Sequence, residues 1–275
     1  MNEIVPNGGL YAPGFPAAST ALEAFGLKFS SGGSHISRTM MIQELGDVLA
    51  NVPKDSGADD YREAVLQRNV LGKTTDSTRQ KSLRHLRELY ALDKVTPVFG
   101  LLRKLYTIDA ASLPLLAIQV AWARDPLLRA TTAPVMEAAE GDRVETAVLA
   151  QAIAASFPNH YSELNRNKIA RNAASSWTQS GHLAGRANKT RQKVNPAAVA
   201  ATMALFLGDI CGYHGAAVFG NPWCLLLDMD PNRAKSLGFE AHRAGLLNLR
   251  AVGEVVELSF PLLAEFGAEF QERQP

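Results

Sequence analysis

The sequence predicts a mainly α-helical protein, a helical bundle with winged helix-turn-helix-like units and short β-hairpins. Leu and Ala dominate the composition, aromatic residues make up 7%, and β-branched runs are short, which favours helices over strands. Apolar residues also recur at helical spacing between breaks rich in Gly and Pro. With 275 residues, the chain is long enough for a sizeable core in one or two domains.

Three regions are predicted along the chain. Residues 1–27, rich in Pro, Gly and small side chains, form a flexible N-terminal arm without the features of a signal peptide. Residues 28–140 form a helical domain with a helix-turn-helix-like unit, and residues 141–275 form a winged-helix-like domain. The two cysteines, Cys211 and Cys224, indicate reduced thiols in a cytoplasmic protein.

The N-terminal domain is expected to contain three helices, at residues 34–50, 59–69 and 76–92. The first offers the core Ile36, Met40, Met41 and Leu45. The third has two faces, an apolar one with Leu83, Leu86, Leu89 and Tyr90, and a polar one with Lys81, Arg84, His85 and Glu88. Helix, turn and basic helix are typical of a helix-turn-helix. The alternative is the solvated face of an ordinary bundle helix.

The middle and the end of the chain supply mostly buried helices. Residues 101–129 are apolar and little charged, and further helices are expected at 144–157, 196–209 and 231–244. The apolar piece at 197–207 is too short to cross ~30 Å of hydrocarbon, so a core helix is expected there. A closing hairpin of residues 248–250 and 255–258 would complete a second, nearly neutral winged unit with a structural or pairing role.

The most informative segment lies between Tyr161 and Pro196. It contains seven basic residues and one acid, Glu163, in a chain of net charge +1. Residues 162–179 form a helix with an apolar face of Ile169, Ala170, Ala173 and Trp177. Gly181 fits the position after its end, and residues 182–186 and 190–194 pair as a hairpin. Asn and Arg read adenine and guanine edges, while Lys neutralises phosphate. The predicted DNA-binding residues are Asn167, Lys168, Arg171, Asn172, Ser175, Arg186, Lys189, Arg191 and Lys193, with Arg79, Lys81 and Arg84 of the third helix as a second contact.

Sequence signals for catalysis are weak. Gly32-Gly33-Ser34-His35 resembles a phosphate-binding turn but lacks a following lysine, and the six histidines show no metal-ligand spacing. Cys211 and His214 lie close together without an orienting acid in the sequence pattern. We therefore expect a protein that is not an enzyme and needs neither cofactor nor metal.

Three stretches, at residues 28–49, 61–92 and 168–183, resemble the small helical BrxA proteins of BREX bacteriophage-exclusion systems. Shared features are a Ser/Gly turn, a break into a basic helix around Asn69–Arg79, and a helix ending in Ser-Gly-His-Leu. The resemblance implies an all-helical or winged-helix fold and binding of double-stranded DNA without enzymatic activity. It also implies operation beside a methyltransferase and ATPases of the same defence cluster. The N-terminal arm and the Gly-rich loop at 208–221 depart from the family pattern.

The leading hypothesis is thus a non-enzymatic, DNA-binding component of a bacterial phage-defence system. Its partners would be double-stranded DNA and other proteins of that system, with no insertion into a membrane. The alternative is an adaptor that docks onto a larger defence enzyme through the apolar regions 101–123 and 197–227. Binding of RNA by a helical module is a third reading.

Overall fold

A computed structural model describes residues 14–252 and 255–271 of the chain, and this part is mainly helical. Its α-helices are α1 (Thr20–Phe25), α2 (Ile42–Asn51), α3 (Ala58–Leu66), α4 (Asp76–Tyr90), α5 (Pro97–Ile108), α6 (Leu113–Arg124), α7 (Pro126–Arg129), α8 (Thr132–Met136), α9 (Thr146–Ser156), α10 (Glu163–Gln179), α11 (Ala198–Ile210), α12 (Pro222–Leu226), α13 (Pro231–Arg243) and α14 (Ala264–Gln271). Short 3₁₀ helices lie at Ser34–Ile36, Ala110–Ser112, Gly215–Gly220 and Pro261–Leu263. The predicted mainly helical class is confirmed.

Two small antiparallel sheets accompany the helices, each with two strands. Strands β1 (Leu183–Ala184) and β2 (Thr190–Arg191) pair directly after α10, where the basic hairpin was predicted. Strands β3 (Asn248–Val252) and β4 (Val255–Ser259) form the expected closing hairpin. An isolated antiparallel bridge joins Arg143 to Thr190, so the segment before α9 extends the first sheet.

The helices share one hydrophobic core. Trp122 and Trp223 meet edge-to-face in it, with ring centroids 5.3 Å apart, and Phe15 packs against Trp122 at 5.0 Å. Phe15, like Phe25 on α1, is buried, so residues 14–27 contribute side chains to the core although many of them are exposed. The region predicted as an arm therefore includes a packed segment, and its first thirteen residues lie outside the described part of the chain. Each added aromatic ring buries a large apolar area, which explains why this segment packs.

The predicted helix at 34–50 is broken in the structure. Residues 34–36 form a 3₁₀ turn, Met41 adopts a positive φ of 53°, and α2 begins at Ile42. Side chains of α10 bind the backbone of the break, since Ser176 Oγ accepts from Met40 N–H at 2.8 Å. Tertiary hydrogen bonds thus replace the local helical ones. Met40, Met41 and Leu45 are buried as predicted, whereas Ile36 is exposed.

Helices followed by a hairpin occur twice, and we name these segments. The first helix–hairpin unit contains α9, α10 and β1–β2, and the second contains α11, α12, α13 and β3–β4. α9 packs against α10 in the first, and α11 packs against α12 and α13 in the second. Helix α11, the predicted core helix, is buried along most of its length. No helix in the described ranges has the length and apolarity to cross a membrane.

Candidate nucleic-acid interface

Helix α10 is formed and terminated by the residues that its sequence suggests. Ser162 caps its start by accepting from Asn165 N–H, and Gly181 follows its end with φ of 88°. Trp177 anchors the inner face by donating its ring N–H to Thr131 Oγ1 at 2.8 Å. Because that face is buried, the opposite face turns outward. It exposes Asn167, Lys168 and Arg171, three of the predicted DNA-binding residues.

Two other predicted residues of α10 lie at the margin of this face. Asn172 is half-buried and donates its amide N–H to the carbonyl oxygen of His35 at 2.8 Å. Ser175 is also half-buried. The predicted reading of a base edge by Asn172 is therefore corrected, because its amide group holds the 34–36 turn instead.

The loop at residues 34–39, which begins with that turn, connects α10 to α4. On the α4 side, Ser34 Oγ donates to Glu88 at 2.7 Å and lies 3.2 Å from His85 Nδ1. On the α10 side, Gln179 Nε2 donates to Thr39 Oγ1 at 3.0 Å. The loop at 34–39 therefore packs between the two helices that the sequence marked as basic.

Arg38 on this loop is a candidate contact that the sequence reasoning missed. It is half-buried, and together with Arg84 and burial it lowers the pKa of His85 below its ordinary value. Burial is the largest cause, followed by Arg84 and then Arg38. The periodicity of α4 predicts His85 on the polar face, which is wrong because the ring packs under the loop. The sequence offered no signal for it, because Arg38 lies inside the helix predicted at 34–50.

The predicted residues of α4 differ in their availability. Lys81 and Arg84 are exposed, whereas Arg79 is half-buried and forms an ion pair with Asp76 one turn earlier. An i, i+3 pair of this kind stabilises the first turn of the helix. Lys81, Arg84 and Arg38 thus form the α4 side of the candidate surface. We call the cationic surface of Lys81, Arg84, Arg38, Lys168 and Arg171 the two-helix surface.

A buried hydrogen-bonded chain lies beneath this surface. His35 Nδ1 lies 2.7 Å from Asp125 Oδ2, and His35 Nε2 lies 2.8 Å from Ser176 Oγ. This order of groups is also the one that activates a serine nucleophile. Here Ser176 Oγ additionally accepts from Met40 N–H and donates to Asn172 O. His35, Asp125 and Ser176 are all buried. No side of the hydroxyl is open to a substrate, so these hydrogen bonds join the start of α7, the 34–36 turn and α10.

The Gly-rich turn holds an anion of the protein itself. A Cβ on Gly33, whose φ is 151°, would lie only 2.1 Å from Asp125 Oδ1, and His35 N–H donates to Asp125 Oδ2 at 3.1 Å. Burial acts to raise the pKa of the Asp125 carboxyl, but the His35 ring and the N–H groups of His35 and Leu128 lower it overall. The weak resemblance to a phosphate-binding turn is thereby explained, since a carboxylate occupies the turn.

The first hairpin is fixed to the core by a residue that was predicted to bind DNA. Arg191 is 1% exposed, and its guanidinium forms an ion pair with Asp228. Asp228 also accepts from Val194 N–H at 2.9 Å. The prediction of a phosphate contact by Arg191 is wrong, because the side chain points into the protein and is already neutralised.

Of the other predicted cations of the hairpin segment, one forms a hydrogen bond within the protein and two are exposed. Lys189 is half-buried and donates to Thr178 Oγ1 at 2.8 Å, so this predicted contact is also engaged. Arg186 and Lys193 are exposed. The neighbouring segment carries exposed Asp142 and Glu145, and Arg191 N–H donates to Asp142 O. Glu145 lies 3.6 Å from Arg143 of the same segment, so Asp142 is the acid that reduces the positive potential near the hairpin. Because Arg191 and Lys189 are also engaged, the two-helix surface is the stronger candidate for an anionic polymer.

Other candidate chemistry is occupied by structural contacts. Burial, with Asp209 as a further cause, raises the pKa of the Cys211 thiol, while His214 Nδ1 lies 3.0 Å from Asp209 Oδ1. A thiol that stays protonated is a poor nucleophile. Within the described ranges, no three His, Cys, Asp or Glu side chains come together as a metal site.

The apolar regions assigned to the adaptor alternative are largely internal. Leu102, Leu116 and Ile118 of the first region are fully buried, as are Leu205 and Trp223 of the second. These side chains form the core, whereas Ile108 of the first region is 46% exposed and Leu225 of the second is 51% exposed. An adaptor would have to use such exposed positions or another face of the molecule.

No model of a protein family matches the chain. No curated protein sequence matches it either.

Proposed function

We propose that this protein binds double-stranded DNA without catalysing a reaction, through the two-helix surface. The observation that supports the proposal best is the loop at 34–39, which contacts both α4 and α10, the two helices that carry the exposed cations. Lys168 and Arg171 have no hydrogen-bond or ion-pair partner within the described residues. Phosphate oxygens would supply such partners, and Asn167 beside them could reach a base edge.

The first helix–hairpin unit supports a winged helix-turn-helix docking mode. A strand residue (Arg143), two helices (α9 and α10) and a hairpin (β1–β2) follow one another, and the strand residue pairs with the hairpin. In this mode, the second helix enters the major groove and the hairpin lies near the backbone. The N-terminal half of α10, with exposed Leu164, Asn167 and Lys168, would meet the bases, and Leu164 could contact a thymine methyl group.

We further propose that the biological setting is a bacterial phage-defence system of the BREX kind. This part rests on the resemblance of residues 28–49, 61–92 and 168–183 to BrxA proteins. The buried Ser176 hydroxyl and the protonated Cys211 thiol favour binding over catalysis as the mode of action.

A gel-shift titration of duplex DNA tests the proposal. The variant Arg84→Ala/Lys168→Ala/Arg171→Ala should lose retention of DNA, because three phosphate-neutralising side chains are removed. Its slope of log affinity against log salt should become shallower by ~0.9 for each phosphate that the variant no longer neutralises. These three side chains are exposed, so the thermal melt should be that of the parent protein.

The matched control removes the same charge from the corresponding helix of the second unit, in Arg233→Ala/Lys235→Ala/Arg243→Ala. It should bind DNA as the parent does. Parental retention by the Arg84→Ala/Lys168→Ala/Arg171→Ala variant would refute the proposal, as would equal losses in the two variants. Structured RNA as competitor separates the readings further, since displacement by RNA at lower concentration than duplex DNA would favour RNA as the ligand.

A further inference from the structure

A cavity of about 420 Å³ lies between α5, the loops at residues 54–55 and 94, and the C-terminal segment 262–266. Small-molecule sites are typically clefts of roughly 300–1,000 Å³. None of the residues that line the cavity belongs to the two-helix surface. A ligand bound here would therefore be a second partner of the protein.

The lining of the cavity combines an apolar floor with a cationic rim. The apolar side chains are Phe99, Ile108, Leu262 and Phe266. Ile108 is 46% exposed, which leaves apolar surface in contact with water at the mouth. The cations are Lys54, Lys94, Arg103 and Lys104, and they face two acids, Asp55 and Glu265. Four positive charges against two negative ones give the site a positive surplus that its own residues do not neutralise.

Two of the cations are committed to the protein. Arg103 is buried and donates its guanidinium N–H groups to the carbonyl oxygens of Leu49 and Val52, at the end of α2. Lys104 Nζ lies 2.6 Å from Glu265 Oε1 and 5.7 Å from the centroid of the Phe266 ring. These contacts fix the back of the cavity and the position of α14 beside it.

The other two cations are available to a ligand. Lys54 is exposed and has no hydrogen-bond or ion-pair partner in residues 14–252 and 255–271. Lys94 is exposed and has one neutral partner, the carbonyl oxygen of Asp55 at 2.8 Å. An ammonium group has three N–H donors, so both lysines can donate to an anion at the mouth of the cavity.

We propose that this cavity binds a small amphipathic anion, a ligand with a carboxylate, sulfonate or phosphate group on an apolar body. The apolar body packs against Phe266 and Ile108, where its burial removes apolar surface from water. The anionic group pairs with Lys54 and Lys94 at the rim. A neutral ligand of the same shape leaves these charges unused, and a cationic one is repelled.

Fluorescence titration with 8-anilinonaphthalene-1-sulfonate, an apolar anion that brightens in apolar sites, tests the proposal. The full chain should bind it saturably with one site per protein. The variant Lys54→Glu/Lys94→Glu should weaken binding at least tenfold, because attraction at the rim becomes repulsion. N-phenyl-1-naphthylamine, a neutral analogue, should bind the parent protein more weakly than the sulfonate and should be insensitive to the substitution.

The matched control is Lys81→Glu/Arg84→Glu, which makes the same charge change on the two-helix surface. It should leave binding of the sulfonate unchanged while impairing DNA retention, so the two proposals can fail separately. Absence of saturable binding overturns the cavity proposal, as does an equal loss in the two charge-reversal variants. Equal affinity of the parent for the neutral and the anionic probe also overturns it.

Discussion

The two helix–hairpin units use similar elements in opposite ways. In the first, the hairpin has strands of two residues and is held by the buried pair Arg191–Asp228. In the second, the strands have five residues each, and the facing pair Arg250 and Glu257 is exposed. Val252, at the end of β3, is 80% exposed. The first hairpin is therefore held by an ion pair. The second is supported by its own strand pairing and by apolar contacts of its inner face.

This difference changes which element of each unit can offer positive charge to a partner. In the first unit, Arg191 is committed to the core and Lys189 to Thr178. The cations that remain free lie on α10 and at two positions of the hairpin segment, Arg186 and Lys193. In the second, α13 exposes Arg233 and Arg243, but Arg233 already donates to Asn195 at 3.1 Å. Basic residues in a hairpin thus do not by themselves make a phosphate-binding wing. Whether such a residue is free to bind phosphate depends on the contacts that its side chain makes within the folded protein.

The largest effect should come from removing the buried pair. Arg191→Ala leaves Asp228 buried without its cation, and breaking a buried pair in this way costs about 3–5 kcal/mol. We expect a loss of that order in the free energy of unfolding, measured by urea denaturation. Arg250→Ala in the second hairpin should cost about 0–1 kcal/mol, because opposite charges that face each other at an exposed position contribute little.

A double variant sharpens this contrast. Arg191→Met/Asp228→Asn removes both charges, and asparagine tolerates the φ of 56° at this position and keeps an oxygen for Val194 N–H. It should therefore recover much of the stability that Arg191→Ala loses. If Arg191→Ala and Arg250→Ala destabilised the protein equally, the distinction between the two hairpins would be wrong.

The second effect is a loss of stability in acid that originates in the first unit. His182, between α10 and β1, is fully buried and packs edge-to-face on Trp177, with Nε2–H donating to Leu226 O at 2.7 Å. Burial lowers its pKa to about 4. The unfolded chain, with an ordinary value of ~6.5, takes up a proton as the pH falls below that value, while the folded protein does not.

This proton uptake by the unfolded chain means that the free energy of unfolding falls as the pH is lowered. The contribution of His182 to stability is fully present above pH ~6.5 and is lost as the pH falls towards 4, by about 2 kcal/mol between pH 7 and pH 5. His182→Gln should flatten this part of the profile of unfolding free energy against pH. His242→Gln, in the second unit, replaces an exposed ring and should leave the profile unchanged. A profile that is equally steep in His182→Gln would exclude His182 as its origin.

Local signals sufficed for one element of each unit, helix α10 and the hairpin β3–β4. Ser162 as N-cap, Gly181 after the end and apolar residues at helical spacing predicted a helix at 162–179, and α10 occupies Glu163–Gln179. The closing hairpin of the second unit was predicted at residues 248–250 and 255–258, and β3 pairs with β4 as expected. Signals of this kind act within a few residues, so the sequence displays them directly.

The candidate site was less accessible because its decisive contacts span long distances along the chain. Arg191 meets Asp228 across 37 residues, and His35 meets Asp125 across 90. A buried arginine in a basic run looks the same in the sequence as an exposed one. The break before α2 was missed for a similar reason, since the hydroxyl of Ser176 binds the backbone of Met40. Helical propensity yields to such tertiary hydrogen bonds.

The smallest effect concerns the cations that remain free on the first hairpin. If the duplex lies along α10 and the hairpin approaches its backbone, Arg186 and Lys193 each neutralise one phosphate, as both side chains are exposed. Arg186→Ala and Lys193→Ala should each make the slope of log affinity against log salt shallower by ~0.9, with little change in preference among DNA sequences. Arg250→Ala, which removes one exposed cation from the second hairpin, should leave the slope unchanged. Equal slopes in all three variants and the parent would limit DNA contact to the helices, because acids such as Asp142 would then outweigh the hairpin cations. A change in Arg250→Ala alone would instead assign the wing to the second unit and reverse the comparison.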